Sequence, residues 1–265
     1  GPVLREYLVS EAMNALGICC VPLNADHRPR EMAYVLEHAK VDLVVVADAL
    51  QALLHSAIAA SAHKPQVVRL DAFDTELPTP RAAALSTTPA ADTPASVLYT
   101  SGTTGRPKGC VLSHRYELEA GRWYASAGGL ASFGDGTDRL YNPLPLFHVN
   151  ASIFSFYCVM LRGNCQVQTD RFSPARWWTE VHQSRATVVH YLGVVVPMLL
   201  AQAPSPLERG HAVRFAIGAG VDPQRHAQFE QRFGFPLIEI WGMTEMVRAT
   251  FDNQLPRQVG TRVFG

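Results

Sequence analysis

"LYTSGTTGRPKGCVLSH", residues 98–114, sets a loop of Thr, Ser, Gly and Lys between two apolar stretches. Thr100, Ser101, Thr103 and Thr104 surround Gly102 and Gly105, and Lys108 follows between Pro107 and Gly109. The flanks "SVLYT" and "GCVLS" are short and apolar, which predicts a β-hairpin with the polar loop as its connection. Such a loop suits phosphate. Glycines let backbone N–H groups approach anionic oxygens and accept positive φ, hydroxyls donate, and a lysine adds a point charge. A bare surface hairpin has the same composition, so the order of the residues has to decide.

That order excludes two phosphate loops. G-x-x-x-x-G-K-[ST] needs Gly before the Lys and a hydroxyl after it, and Pro107 and Gly109 hold those places. The G-x-G-x-x-G fingerprint fails as well, because the glycines stand at 102, 105 and 109.

Outward from the hairpin, apolar runs alternate with amphipathic stretches. Upstream, "REYLVSEAMNAL" (5–16) reads as a helix stopped by Gly17, "ICCVPL" as a strand and "RPREMAYVLEHAK" as a helix with Pro29 in its first turn. "VDLVVVA" is a strand, 48–60 a helix and "QVVRL" a strand, followed by an irregular Pro/Thr/Ala-rich connection over 74–95. Downstream, strands "RLYNPLP", "CQVQT", "ATVVHYL", "VRFAIG" and "PLIEI" alternate with helices over 149–161, 174–184, 194–202 and 222–233. This alternation predicts an α/β fold, a layered sandwich of two mostly parallel sheets with helices. The Gly-rich break "GGLASFGDGTD" (128–138) divides it into subdomains 1–130 and 131–265.

With 48% hydrophobic and 17% charged residues the chain can bury a sizeable core, and its zero net charge gives no footprint for nucleic acid or a membrane surface. No run is long enough to span a bilayer, and no signal peptide opens the chain. Cys19, Cys20, Cys110, Cys158 and Cys165 are odd in number and form no C-x-x-C pair. They read as free thiols in a reducing, cytoplasmic compartment.

"YTSGTTGRPKG" resembles the phosphate-loop signature of the adenylate-forming (AMP-binding) superfamily, which includes acyl-CoA synthetases. "IEIWGMTEM" resembles that family's aromatic-Gly-x-Thr-Glu motif, and "PLPLFHV" the segment carrying its substrate-gating His. The three come in the family's order, and the resemblance covers essentially the whole chain. It implies ATP-dependent activation of a carboxylic acid to an acyl-adenylate, then transfer to coenzyme A. Thr100, Ser101, Gly102, Thr103, Thr104, Gly105 and Lys108 would wrap the β- and γ-phosphates. Thr244 would bond the α-phosphate and Glu245 would hold Mg²⁺. Trp241, where the family usually has Tyr, would lie against adenine, with Gly242 and Met243 beside it, unless it is a core aromatic. Gly218, Ala219 and Gly220 stand in place of a Gly-Gly-Ala-like turn along the nucleotide. His148 would gate the acyl pocket, whereas His190, within an apolar strand, reads as a core histidine.

The texture around Asn150 and "RFSPARWWTEVHQSRATVVHYLG" is similar to the carnitine/crotonobetaine-CoA and fatty-acyl-CoA ligase branch. There Phe147, Phe154, Tyr191 and Trp241 would face a cationic substrate, although core packing explains such aromatics equally well. The family's ribose-binding carboxylate, hinge and C-terminal domain with its catalytic Lys have no counterpart in the sequence, so the chain is expected to be an incomplete core, inactive alone. Two alternatives accompany this expectation: an enzyme that loads a carrier protein, and a non-catalytic nucleotide-binding domain. Nothing in the sequence addresses the oligomeric state.

Overall fold

Unbroken apolar runs such as Leu43–Val46 and Phe215–Ala219 suit strands covered on both faces, and both are strands here. The computed structural model describes residues 2–78, 88–101 and 105–261. The chain divides into two compact units, residues 1–115 and 116–265. The division falls ahead of the Gly-rich break expected to mark it at 130.

In the first unit, α1 (Pro2–Ala15) is followed by α2 (Pro29–His38), β1 (Leu43–Val46), α3 (Gln51–Ala60), β2 (Gln66–Arg69) and the short α4 (Phe73–Glu76). Strands β1 and β2 pair in parallel. Helix α2 starts with Pro29, and the Glu31 carboxylate accepts from the Arg28 N–H at 2.7 Å, satisfying a donor at the helix start. Its buried face brings Met32 and Leu36 onto Val44, Val46, Leu54 and Ala57. Strands β3 (Pro94–Thr100) and β4 (Lys108–Ser113) form the expected antiparallel hairpin. "ICCVPL" is not a full strand. Only Cys20 bridges, in parallel, to Ser96 of β3, because Pro22 leaves little room for a longer ladder.

In the second unit the parallel strands are β5 (Arg139–Asn142), β6 (Cys165–Gln168), β7 (Val188–Leu192), β8 (Phe215–Ala219) and β9 (Leu237–Met243). Strand β10 (Met246–Phe251), which the sequence reading did not anticipate, closes one edge antiparallel to β9. The strand order is β10-β9-β8-β7-β5-β6. Helices α5 (His114–Ala125), α6 (Phe156–Leu161), α7 (Trp177–Ser184), α8 (Val195–Leu200) and α9 (Pro223–Phe233) connect the strands. On one face Trp177, Trp178, Val181, Val196, Leu199, Phe229 and Phe233 pack on Tyr141, Val189, Tyr191 and Leu237. On the other, Tyr124 of α5 lies parallel to the His190 ring and against Phe154. Asp222 caps α9 by accepting from the Gln224 N–H at 2.9 Å.

The chain runs from β5 to β6 on one side, then crosses to β7 and moves away through β8 and β9. Neighbours β5 and β7 are therefore left by connections heading in opposite directions. In open α/β sheets this is the switch point, and ligands bind in the crevice at the carboxyl ends of such strands.

Candidate active site

Of the phosphate-loop residues, Thr100 ends β3 half-buried, and Ser101 is exposed just beyond it. Gly102, Thr103 and Thr104 lie outside the described residues. Gly105 has φ 88°, the left-handed conformation that glycine permits. Lys108 opens β4 opposite Thr100, exposed, with no carboxylate in ion-pairing range among the described residues.

The second unit gathers the other motif residues at the carboxyl ends of β5, β8 and β9. After β5 the chain turns through 143–149. Asn142, fully buried, holds this turn, with Oδ1 accepting from the Leu144 N–H at 2.9 Å and Nδ2 donating to Ser155 Oγ at 2.7 Å. His148 stands at the end of the turn. Its Nδ1 accepts from the Asn150 N–H at 3.3 Å, which places the ring proton on Nε2. The next segment, Asn150–Ser155, is a π-helix continuous with α6. The Ser155 hydroxyl reinforces the wide turn by donating to the Asn150 carbonyl at 2.5 Å. Such π-turns concentrate at functional sites.

Gly218 and Ala219 end β8, and Gly220 follows with φ 82°. Two glycines here, Gly218 and the facing Gly193, have no space for a side chain. A Cβ on Gly218 would stand 2.2 Å from the Tyr191 carbonyl oxygen, and one on Gly193 would stand 1.8 Å from that of Gly220. The order Gly218-Ala219-Gly220 thus meets a local steric demand.

Trp241, Gly242 and Met243 end β9, and Thr244–Glu245 is the two-residue turn into β10, since Met243 pairs with Met246. Trp241 is 46% exposed, so the core-aromatic alternative does not hold. Glu245 is exposed, without an ion-pair partner among the described residues. No cluster of three metal-binding side chains occurs among those residues. One unpaired carboxylate does fit Mg²⁺ that arrives with phosphate, because that ion keeps its waters and takes only one or two protein carboxylates.

Three residues of this edge went unnoticed in the sequence. Asn142 is the first. Tyr116, in α5, directs its hydroxyl at the Thr244 and Met246 carbonyls, 2.8 and 3.2 Å away, and so pins the Thr244–Glu245 turn. Glu239 joins three strand ends by accepting from the Tyr191 hydroxyl at 2.6 Å and the Val221 N–H at 3.1 Å. Burial, with Glu239 nearby, holds the Tyr191 phenol well above its ordinary pKa. A carboxylate inside the apolar run "LIEI" was the signal for Glu239, since a half-buried charge needs partners.

For two of the aromatics offered for a cationic substrate the core-packing alternative holds. Phe154 and Tyr191 are core residues, 0% and 1% exposed, so neither can face a cationic substrate. His190, also fully buried, lies 3.3 Å from the Tyr124 hydroxyl and belongs to the core as expected.

Residues 6–264 match the family described as AMP-binding enzyme. The chain belongs to the AMP-binding enzyme family. It is 30% identical to sulfoacetate–CoA ligase of Cupriavidus necator over 260 residues, which are 93% of this chain and 49% of that protein. It is 36% identical to the medium/long-chain-fatty-acid–CoA ligase of Mycobacterium tuberculosis over 194 residues, 72% of this chain and 32% of that protein. The fold matches the ATP-bound crystal structure of MatB from Rhodopseudomonas palustris with a TM-score of 0.77 at 22% identity, covering 97% of this chain and 51% of that one. The chain of this AMP-binding family member spans about half the length, or less, of these relatives. Among its described residues no helix is long and apolar enough to cross a membrane.

Proposed function

We propose that this chain is the nucleotide-handling core of an ATP-dependent acid–thiol ligase that makes acyl-CoA. The observation that carries this reading is the carboxyl edge of the six-stranded sheet. There half-buried Thr244 and exposed Glu245 turn the chain after β9, exposed Trp241 stands in the last part of β9, Gly218 and Ala219 end β8 with Gly220 just beyond, and His148 follows β5. Two relatives named as CoA ligases support coenzyme A over a carrier-protein thiol as acceptor. Five cysteines, an odd number with no C-x-x-C pair, support a reducing, cytoplasmic setting.

In the first step a carboxylate oxygen of the substrate bonds to the α-phosphorus of ATP. The α–β bridging bond breaks, and pyrophosphate leaves with its electron pair. Proteins assist such transfers mainly by positioning and by stabilising charge. Lys108 and the hydroxyls of Thr100 and Ser101 steady the departing phosphates. Thr244 bonds the α-phosphate, and Glu245 would hold the Mg²⁺ that accompanies ATP, which would offset the phosphate charge. In the second step the thiol sulfur bonds to the acyl carbon, AMP leaves, and the thiol proton passes to solvent. His148, its proton on Nε2, orients the carboxylate and then yields its place to the thiol.

The test is Lys108→Ala in the intact protein, assayed for pyrophosphate release with ATP, Mg²⁺ and a panel of carboxylates. Losing a charge-assisted phosphate contact should slow release about 10- to 100-fold with the melting temperature unchanged. An unchanged rate removes Lys108 from the site. Failure to form a thioester with any carboxylate and coenzyme A refutes the ligase reading.

A further inference from the structure

Where the β3–β4 ladder ends, helix α2 takes hold of the chain. Thr100 and Lys108 are the last paired residues. Pro107, one step toward the loop, lies beyond the ladder with a carbonyl but no N–H. Tyr34 of α2 donates its hydroxyl to that carbonyl at 3.0 Å. The other limb is held from the same helix. Tyr99, the residue before Thr100, has its hydroxyl 2.7 Å from Nδ1 of His38, one helical turn after Tyr34. The Tyr34 and His38 rings stack at 5.3 Å, and both meet Tyr99 edge-on, at 6.4 and 5.7 Å. Tyr99 gains its position by crossing β4 at Gly109, where a Cβ would stand 3.2 Å from the tyrosine Cζ and 2.9 Å from Val97 Cγ1.

Both limbs of the loop are therefore gripped at its base by one rigid helix. Lys108 is the first residue after the gripped carbonyl, and its side chain is exposed. A long, flexible ammonium stem loses rotational freedom when it settles on an anion, and a fixed backbone beneath it reduces what must be ordered on binding.

We propose that Tyr34 is a positioning residue for Lys108: by holding the Pro107 carbonyl it sets the direction from which Lys108 meets phosphate. The proposal rests on reading the hairpin as a phosphate-binding loop. Tyr34→Phe keeps the ring, its stacking and the helix, and deletes only the hydroxyl.

The experiment is a double-mutant cycle in the intact protein: wild type, Tyr34→Phe, Lys108→Ala and the double variant. For each, KM for ATP and kcat of pyrophosphate release are measured where all four remain folded, alongside Tm. Tyr34→Phe should raise KM for ATP about three- to tenfold and leave kcat within about twofold. In the Lys108→Ala background the same change should move KM less than about twofold, because the residue through which Tyr34 acts is gone. Equal effects in both backgrounds, or a lower Tm with KM unchanged, would assign Tyr34 to stability alone and overturn the proposal. Lys108→Ala with unchanged KM and kcat overturns the phosphate-loop reading and this inference with it. A Lys108→Ala effect without a Tyr34→Phe effect overturns the inference alone.

Discussion

Replacing Glu230 by Gln tests what holds β9 beneath the Thr244–Glu245 turn. Glu230, on α9, collects donors from three places. Its Oε1 accepts from His226 Nε2 at 2.9 Å, from the Leu237 N–H at 2.8 Å and from an Arg257 guanidinium nitrogen at 2.5 Å, and its Oε2 accepts from Arg257 at 3.2 Å. One carboxylate thus ties α9 to the start of β9 and to the segment after β10. Burial works against its charge, but these bonds outweigh it and bring the pKa from 4.5 to about 2. At 1.36 kcal/mol per pKa unit this corresponds to roughly 3 kcal/mol of stability near neutral pH. The folded-state value is the depressed one. The contribution is therefore complete above 4.5 and drains away as pH falls through about 2. Glu230→Gln also leaves Arg257, whose side chain is 7% exposed, with Asp252 at 3.7 Å as its remaining carboxylate. Urea unfolding, followed by the fluorescence of buried Trp177 and Trp178, should place the variant roughly 3 kcal/mol below wild type near pH 7. The gap should narrow to roughly 1–1.5 kcal/mol near pH 3. Asp138, also held below its usual pKa, titrates in the same direction in both proteins, so it drops out of the difference. A gap under roughly 1 kcal/mol near neutrality, or one that ignores pH, refutes the reasoning.

Glu245→Gln should raise the Mg²⁺ concentration for half-maximal rate, since an amide is a poorer ligand for a hard cation; identical Mg²⁺ titrations would remove Glu245 from the metal site. Tyr116→Phe should raise KM for ATP about two- to tenfold by releasing the Thr244 and Met246 carbonyls, and an unchanged KM would show that the turn holds its shape unaided. Gly193→Ala forces the chain away from the Gly220 carbonyl and should cost about 1–3 kcal/mol in a thermal melt, with weaker ATP binding. A melt like that of wild type would mean the approach relaxes freely.

Strands were legible wherever an apolar run was unbroken, as in "LVVV" and "FAIGA", because parallel strands buried on both faces cannot carry polar alternation. β10 was not legible. It is an antiparallel edge strand, "MVRATF", in which Arg248 interrupts the run, and it follows a motif whose chemistry drew the reading toward a loop. The motif residues were found as an ordered string. The residues that hold them were not, since a tyrosine such as Tyr34 or Tyr116 on an amphipathic helix reads as core. Only its hydroxyl partner, distant in sequence, reveals the other use. The choice between pocket and core for Phe154 and Tyr191 stayed open for a related reason. Composition cannot tell a ring that lines a pocket from one that fills the layer between helix and sheet.

The wide turn at Asn150–Ser155 has a bearing on how this site can change. A π-turn absorbs one residue more than an α-turn does. If the segment were regular α-helix, the chain before it would be rotated by roughly 100° about the helix axis and shifted by roughly 1.5 Å. α6 keeps Tyr157, Cys158 and Val159 buried, so its own phase is fixed by the core. The π-turn is the gear that lets His148 be indexed separately from that phase. Changes of length by one residue here, rather than changes of residue type, are the step by which the imidazole could be turned toward or away from the crevice while the core beneath it stays as it is.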